Sequence, residues 1–195
     1  MNIANFLGIS IDPINRNYLL VLEYSEENLR DYLLNHDLGW DEKIRIAKDI
    51  ANGLNFIHNE INMSTKAIFL DNDKAFLLDP RIFSITTESS GYYNPPDESI
   101  AFVDPNVLKD PKINYTTESD IYSLGVIMWE ISNRRVPFSD VKGHELLIER
   151  IQNNLQEETI PGTPQEYASL YRRCLLEPKM RPSILDVCKE LGRML

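Results

Sequence analysis

The sequence predicts a mostly helical α+β fold, and three observations carry that reading. Apolar runs of strand length are confined to the first eighty residues, helical periodicity fills most of the remainder, and turn-forming residues punctuate the boundaries. A chain of 195 residues with 43% hydrophobic content can bury a sizeable core and is short enough to form one unit, so a single domain over 1–195 is expected.

The stretch NYLLVLEY (17–24) is a Leu/Val/Tyr-rich run of strand length, and the IDPINRN before it holds the Asp-Pro and Asn signals of a turn back to NFLGIS. Together they predict an N-terminal strand pair. In WDEKIRIAKDIANGLNFIH, Ile46, Ala47, Ile50, Ala51, Leu54 and Ile57 recur at helical spacing, with Asp41 placed as the N-cap. Gly53 inside that helix costs about 1 kcal/mol relative to Ala, which points to close packing against a neighbour rather than to propensity. KAIFL and KAFLLD, separated by Asp71-Asn72-Asp73, read as a small hairpin.

From Pro80 to Thr116 no periodic element stands out, and a stretch that long without structure signals either function or disorder. TTESDIYSLGVIMWEISN then offers a capping box from Thr117 to Asp120, followed by Ile121, Leu124, Val126, Ile127, Met128, Trp129 and Ile131. Apolar on nearly every face, this helix is expected to be the buried spine. ELLIERIQNNL, PQEYASLYRRCLL and RPSILDVCKELGRML give three more helices, broken by PGTP and EPKMRP.

Charge narrows the partners. Twenty basic against thirty acidic residues give a net −10, and no Lys/Arg cluster exceeds a dipeptide, so neither nucleic acid nor an anionic membrane is an expected partner. Cys174 and Cys188 form no C-x-x-C, and the first twenty residues lack a basic region followed by a long apolar stretch, which fits a reducing, cytoplasmic setting. The apolar segment IYSLGVIMW is far shorter than the ~18 residues of a membrane span. His36, His58 and His144 have no metal-ligand spacing, and Asp71-Asn72-Asp73 lacks the glycine of a calcium loop.

Taken in order, these strings resemble the C-terminal lobe of a protein kinase, in the style of the tyrosine-kinase-like group, over almost the whole chain. NYLLVLEY with NLRDYL is similar to the last N-lobe strand, the hinge and helix D, with Leu22, Glu23 and Tyr24 as the hinge remnant. DEKIRIAKDIANGLNFIH resembles helix E, and AFVDPNVL the end of an activation segment. SDIYSLGVIMWEI with RRVPF resembles helix F and its sequel, and YRRCLLEPKMRPS the region between helices H and I. The resemblance divides the chain into a remnant of N-lobe strands and hinge (1–24) and a helical C-lobe (25–195).

The family transfers phosphate by positioning and charge neutralisation: a Gly-rich cover, a strand lysine paired to a helix glutamate, two metal ligands and an aspartate that orients the acceptor hydroxyl. The eight glycines never come within six residues of one another, so this sequence contains no G-x-G-x-x-G, and the strand lysine and helix C have no counterpart in it. Matching Asp79 to the metal-binding aspartate of Asp-Phe-Gly puts Ala67 at the metal-binding asparagine and Asn62 at the catalytic aspartate; a slip of one residue gives Lys66 and Ile61. Alanine cannot ligate Mg²⁺, and an asparagine amide cannot take a proton near neutral pH. Glu60, the nearest carboxylate, reads as a solvated helix-end residue. Asp79 is the one candidate metal ligand. With Pro80 and Arg81 where the family has Phe and Gly, and with no second carboxylate, a turn-capping role is preferred.

Structural devices of the family fare better. The aspartate matching Asp120 accepts backbone N–H bonds from the catalytic loop; the plainer reading makes Asp120 the acidic partner of the capping box with Thr117. The family's glutamate that pairs with the arginine before the last helix is here Asn106, facing Arg181, so Asp104 or Asn106 is expected to take over that contact. Thr86, Thr87, Ser89, Ser90, Tyr92 and Tyr93 lie where the family is often phosphorylated, although a polar loop is rich in hydroxyls in any case.

These readings converge on a catalytically inactive, pseudokinase-like C-lobe that presents surfaces to other signalling proteins, another kinase among them, with no cofactor expected. The alternative is the C-terminal part of an ATP-dependent protein kinase whose N-lobe is encoded or supplied elsewhere, which would bring ATP and Mg²⁺. Homodimerisation through an exposed inter-lobe face is a further candidate.

Overall fold

The computed structural model describes residues 6–22, 27–57, 68–71, 74–77, 100–110, 113, 116–153 and 157–195. The strand-forming run at the N-terminus gives β1 (Phe6–Ile11) and β2 (Tyr18–Leu22), paired antiparallel with Ile9 opposite Leu20 and a bulge between Phe6 and Gly8. Asp12 builds the turn between them, its carboxylate accepting from the Ile14 N–H at 2.8 Å. Arg16, in the left-handed region at φ 64°, completes the reversal.

A second sheet has the order β3 (Glu27–Asn28), β4 (Ile68–Asp71), β5 (Lys74–Leu77), all antiparallel. The expected small hairpin is therefore the β4–β5 pair. The two-residue β3 was not foreseen, because it exists only through its register against Leu70 and Phe69 of β4. From β3 the chain runs straight into α1 (Leu29–Asn35), capped by the Asn28 side chain, which accepts from the Asp31 N–H at 3.0 Å.

Helix α2 (Trp40–Ile57) buries Ile44, Ile46, Ala47, Ile50, Ala51 and Leu54, and Gly53 is buried among them. Its start corrects one expectation: Asp41 lies inside the first turn, not at the cap. The Gly39 carbonyl takes the first helical bond from Lys43, and Glu42 reaches back to accept the Gly39 N–H at 2.8 Å. The stretch 80–116 is also not wholly without regular structure, since Asp104 caps a short α3 (Pro105–Lys109). The Asp-Pro pair explains it, with Pro at the first helical position and Asp accepting from the Asn106 N–H.

Helix α4 (Thr117–Asn133) is the spine. Every residue from Ser119 to Ser132 is buried, and α4 packs against α2 and against α6 (Gln165–Cys174). The expected capping box is present one residue earlier than its sequence placement, with Thr116 as N-cap and Ser119 closing it at 3.4 Å in both directions. Asp120 is thereby released from the cap. Helices α5 (His144–Gln152) and α7 (Ile184–Arg193) complete the lobe, α7 lying against α2. One core runs through these elements, from Leu29 of α1 to Leu191 of α7.

Gly125 sets the approach of α4 to α6. A Cβ there would lie 2.7 Å from the Cys174 Cβ, 2.9 Å from Leu175 Cδ2 and 3.1 Å from the Tyr171 carbonyl oxygen. Cys174 is correspondingly inert, its thiol pushed up to about 12 by burial. Gly125→Ala should lower stability by about 1–3 kcal/mol, because overpacking outweighs the roughly 1 kcal/mol gained in helix propensity. A urea titration with unchanged slope and a lower midpoint is the expected result.

Candidate functional site

The polar centre of the described residues lies where α3, the start of α4 and the segment before α7 meet. Arg181 and Asp104 form an ion pair there, each side chain only 2% exposed. A guanidinium so deeply buried needs its remaining donors filled. Arg181 Nη1 also donates to the Glu118 carbonyl at 2.7 Å, Nε donates to the Leu176 carbonyl at 2.7 Å, and the group lies 5.3 Å from the centroid of the Tyr122 ring. One side chain thus ties α4, the end of α6's loop and α3 together.

Asp104 serves two masters. Its second oxygen accepts from the Asn106 N–H at 2.8 Å and from the Asn106 side-chain amide at 3.1 Å, so the carboxylate that holds Arg181 also starts α3. Asn106 orients Asp104, and Asp104 meets the arginine. The preceding residues are pinned in the same way: Ser123 donates its hydroxyl to the Phe102 carbonyl at 2.7 Å and to Ser119 at 3.2 Å, and Phe102 is buried.

Burial and the Asp104 charge both push the Tyr122 hydroxyl upward from its ordinary value, so it stays neutral. Glu118 moves the other way. The Thr116 side chain and the backbone N–H of Glu118 itself hold its carboxyl below the usual range, with the Arg181 charge contributing less. Both directions suit a fixed joint rather than an acid–base site.

Beside this joint a groove of about 370 Å³ opens between Leu54 and Asn55 of α2, Asp120 of α4 and the Pro178–Leu185 segment. Asp120 is 3% exposed and is not without a partner. At the far end of α4, Glu130 accepts from Arg30 of α1 at 2.8 and 3.4 Å, and Arg134, left-handed at φ 52°, donates to the Leu33 carbonyl at 2.8 Å. Among the described residues no three His, Cys, Asp or Glu side chains converge to hold a metal, and no helix is long and apolar enough to cross a membrane.

The family profile for protein tyrosine and serine/threonine kinases matches residues 1–191. The chain belongs to the protein kinase family. It is 27% identical to the probable serine/threonine-protein kinase drkC of Dictyostelium discoideum, over 99% of this chain and 27% of that protein. It is 26% identical to the receptor-interacting serine/threonine-protein kinase 4 of Mus musculus, over 94% of this chain and 25% of that protein. With the LRR receptor-like serine/threonine-protein kinase ER1 of Oryza sativa subsp. japonica the identity is 27%, over 99% of this chain and 19% of that protein. The chain spans about a quarter or less of the length of these curated relatives.

Asp104, Asn106 and Arg181 meet at the joint described above, Asp120 is buried in the first turns of α4, and Leu22 is the last residue of β2. The hinge residues Glu23 and Tyr24, the catalytic-loop positions Asn62 and Ala67, Glu60, Asp79, and the hydroxyls of Thr86, Thr87, Ser89, Ser90, Tyr92 and Tyr93 lie outside the described residues. Sequence reading missed the Arg30–Glu130 pair, whose partners are a hundred positions apart and share no local pattern.

Removing one partner of the buried joint should be costly. Arg181→Met, which strands the Asp104 charge, is expected to lower stability by about 3–5 kcal/mol, and Asp104→Leu similarly; the double variant should recover most of the loss. Denaturant melts of the three variants measure this. Single variants within about 0.5 kcal/mol of the parent would contradict the role given to the pair.

Proposed function

We propose that this chain is a kinase-fold lobe without phosphotransfer activity, a pseudokinase-like module that holds other signalling proteins, another protein kinase among them, in a cytoplasmic setting. The observation that carries the proposal is the identity of two side chains: the positions that the family resemblance assigns to the catalytic aspartate and the metal-binding asparagine are Asn62 and Ala67. Loss of a general base alone costs ~10²–10⁴ in rate. With Ala67 unable to ligate, Asp79 would have to neutralise the phosphates with a single carboxylate, and Pro80-Arg81 after it removes the pivot that the family's Phe-Gly supplies. What remains is scaffold, and a scaffold with a rigid joint suits binding.

A second reading rests on the comparisons. The relatives are named as serine/threonine-protein kinases and this chain spans about a quarter or less of their length, which supports a lobe that works with an N-lobe encoded or supplied elsewhere. That enzyme would bind ATP and Mg²⁺ and would need another base than Asn62.

Incubating the chain with γ-labelled ATP, Mg²⁺ or Mn²⁺ and a mixed protein acceptor separates the two. The expected result is incorporation no greater than that of an Asp79→Ala variant. Transfer well above background that Asp79→Ala abolishes would overturn the inactive reading and favour the second.

A further inference from the structure

Asn52 is the only asparagine of the sequence that is followed by glycine, and no aspartate is. Such a pair is open to a reaction of its own. The Gly53 backbone nitrogen, unhindered by a side chain, can lose its proton and attack the side-chain carbonyl carbon of Asn52. The new N–C bond closes a succinimide ring as the side-chain amine leaves as ammonia. Water then opens the ring at one of its two carbonyls, leaving aspartate or isoaspartate at position 52. Water is the only co-reactant.

The pair lies within α2, with Asn52 exposed to solvent and Gly53 buried. Helical geometry opposes ring closure in two ways. A helical ψ of about −42° turns the Gly53 nitrogen away from the Asn52 side chain, whereas attack needs both on the same side of the Cα–C bond. The helix also commits that N–H to the carbonyl of Asp49, one turn back. Fraying of the helix end does not release the pair, because Ala51 before it and Leu54 after it are core residues, 0% and 3% exposed. Freeing this peptide requires α2 to leave α7, β5 and α4, the elements it packs on.

We propose that Asn52-Gly53 is a self-modification site locked by α2: it deamidates only while the helix is open, and isoaspartate left there keeps the helix from closing. Isoaspartate carries the chain through its β-carbon, which lengthens the backbone between Ala51 and Gly53 by one atom. The two sides then cannot share one helical register, so Ala47, Ile50 and Ala51 can no longer be buried on the same face as Leu54. The aspartate product is milder. It adds a negative charge at a solvated position and leaves the backbone intact. Because the helix recloses faster than the ring forms, the rate of modification follows the population of the open form.

Peptide mass spectrometry of the chain, incubated in neutral buffer and in urea beyond its unfolding midpoint, tests the proposal. Modification at position 52 is expected to be at least about tenfold slower in native buffer than in urea, and a smaller ratio overturns the lock. Arg181→Met, destabilised at a site outside α2, should fall between the two rates in native buffer. Should that variant fail to fold, the parent in graded urea below its midpoint replaces it, with a rate that rises as the open population rises. A rate indifferent to stability overturns the proposal. Asn52→Gln should give no product, which assigns the signal. The isoaspartyl fraction, separated and diluted from urea, should not regain the parent's helical circular dichroism. Refolding of that fraction with an unchanged urea midpoint overturns the second half of the proposal.

Discussion

Most of the lobe depends on one constraint, the burial of Arg181 with its charge intact. Taking a guanidinium out of water costs several kcal/mol, and only a carboxylate with well-placed carbonyls recovers that cost. Asp104, the Glu118 carbonyl and the Leu176 carbonyl supply them, and each comes from a different part of the chain. Satisfying one side chain therefore fixes three segments at once. Asp104 carries the constraint further, because the same carboxylate caps α3 through Asn106.

The spine helix passes that order to the rest of the lobe. At its start Ser123 holds the Phe102 carbonyl, in its middle Gly125 admits α6 to within contact of its backbone, and at its end Glu130 and Arg134 hold α1. A helix buried from Ser119 to Ser132 has no solvated face, so every side of it is an interface. Tyr167 shows how closely: its hydroxyl donates to the Met128 carbonyl at 3.0 Å from within α6. Such a body transmits position well. Neither the neutral Tyr122 nor the buried thiol of Cys174 is poised to react.

Periodicity made the helices legible. Ile46, Ala47, Ile50, Ala51 and Leu54 announced α2, and the run from Ile121 to Ile131 announced a helix with no wet side. The hairpin was legible in Asp71-Asn72-Asp73. What escaped was set by distance in sequence or by near-equivalent choices. β3 has two residues and no pattern of its own. The cap of α4 fell on Thr116 rather than Thr117 because both can accept from a backbone N–H, and only packing chooses; Ser119 then closes the box, leaving Asp120 to the interior. At α2 the cap moved to Gly39 because Glu42 could reach back to it. The charge that meets Arg181 sits at Asp104, two residues before the position where the family's glutamate would stand, a shift visible in the sequence only as one of two candidates.

We propose a lobe that keeps the kinase scaffold around Arg181 while the side chains for gripping and transferring phosphate are replaced. A thermal-shift titration with ATP and Mg²⁺ asks the question most directly, because a ligand that binds only the folded form must raise the midpoint. The account predicts no change up to millimolar nucleotide. A saturable rise that needs the metal and disappears in Asp79→Ala would contradict it.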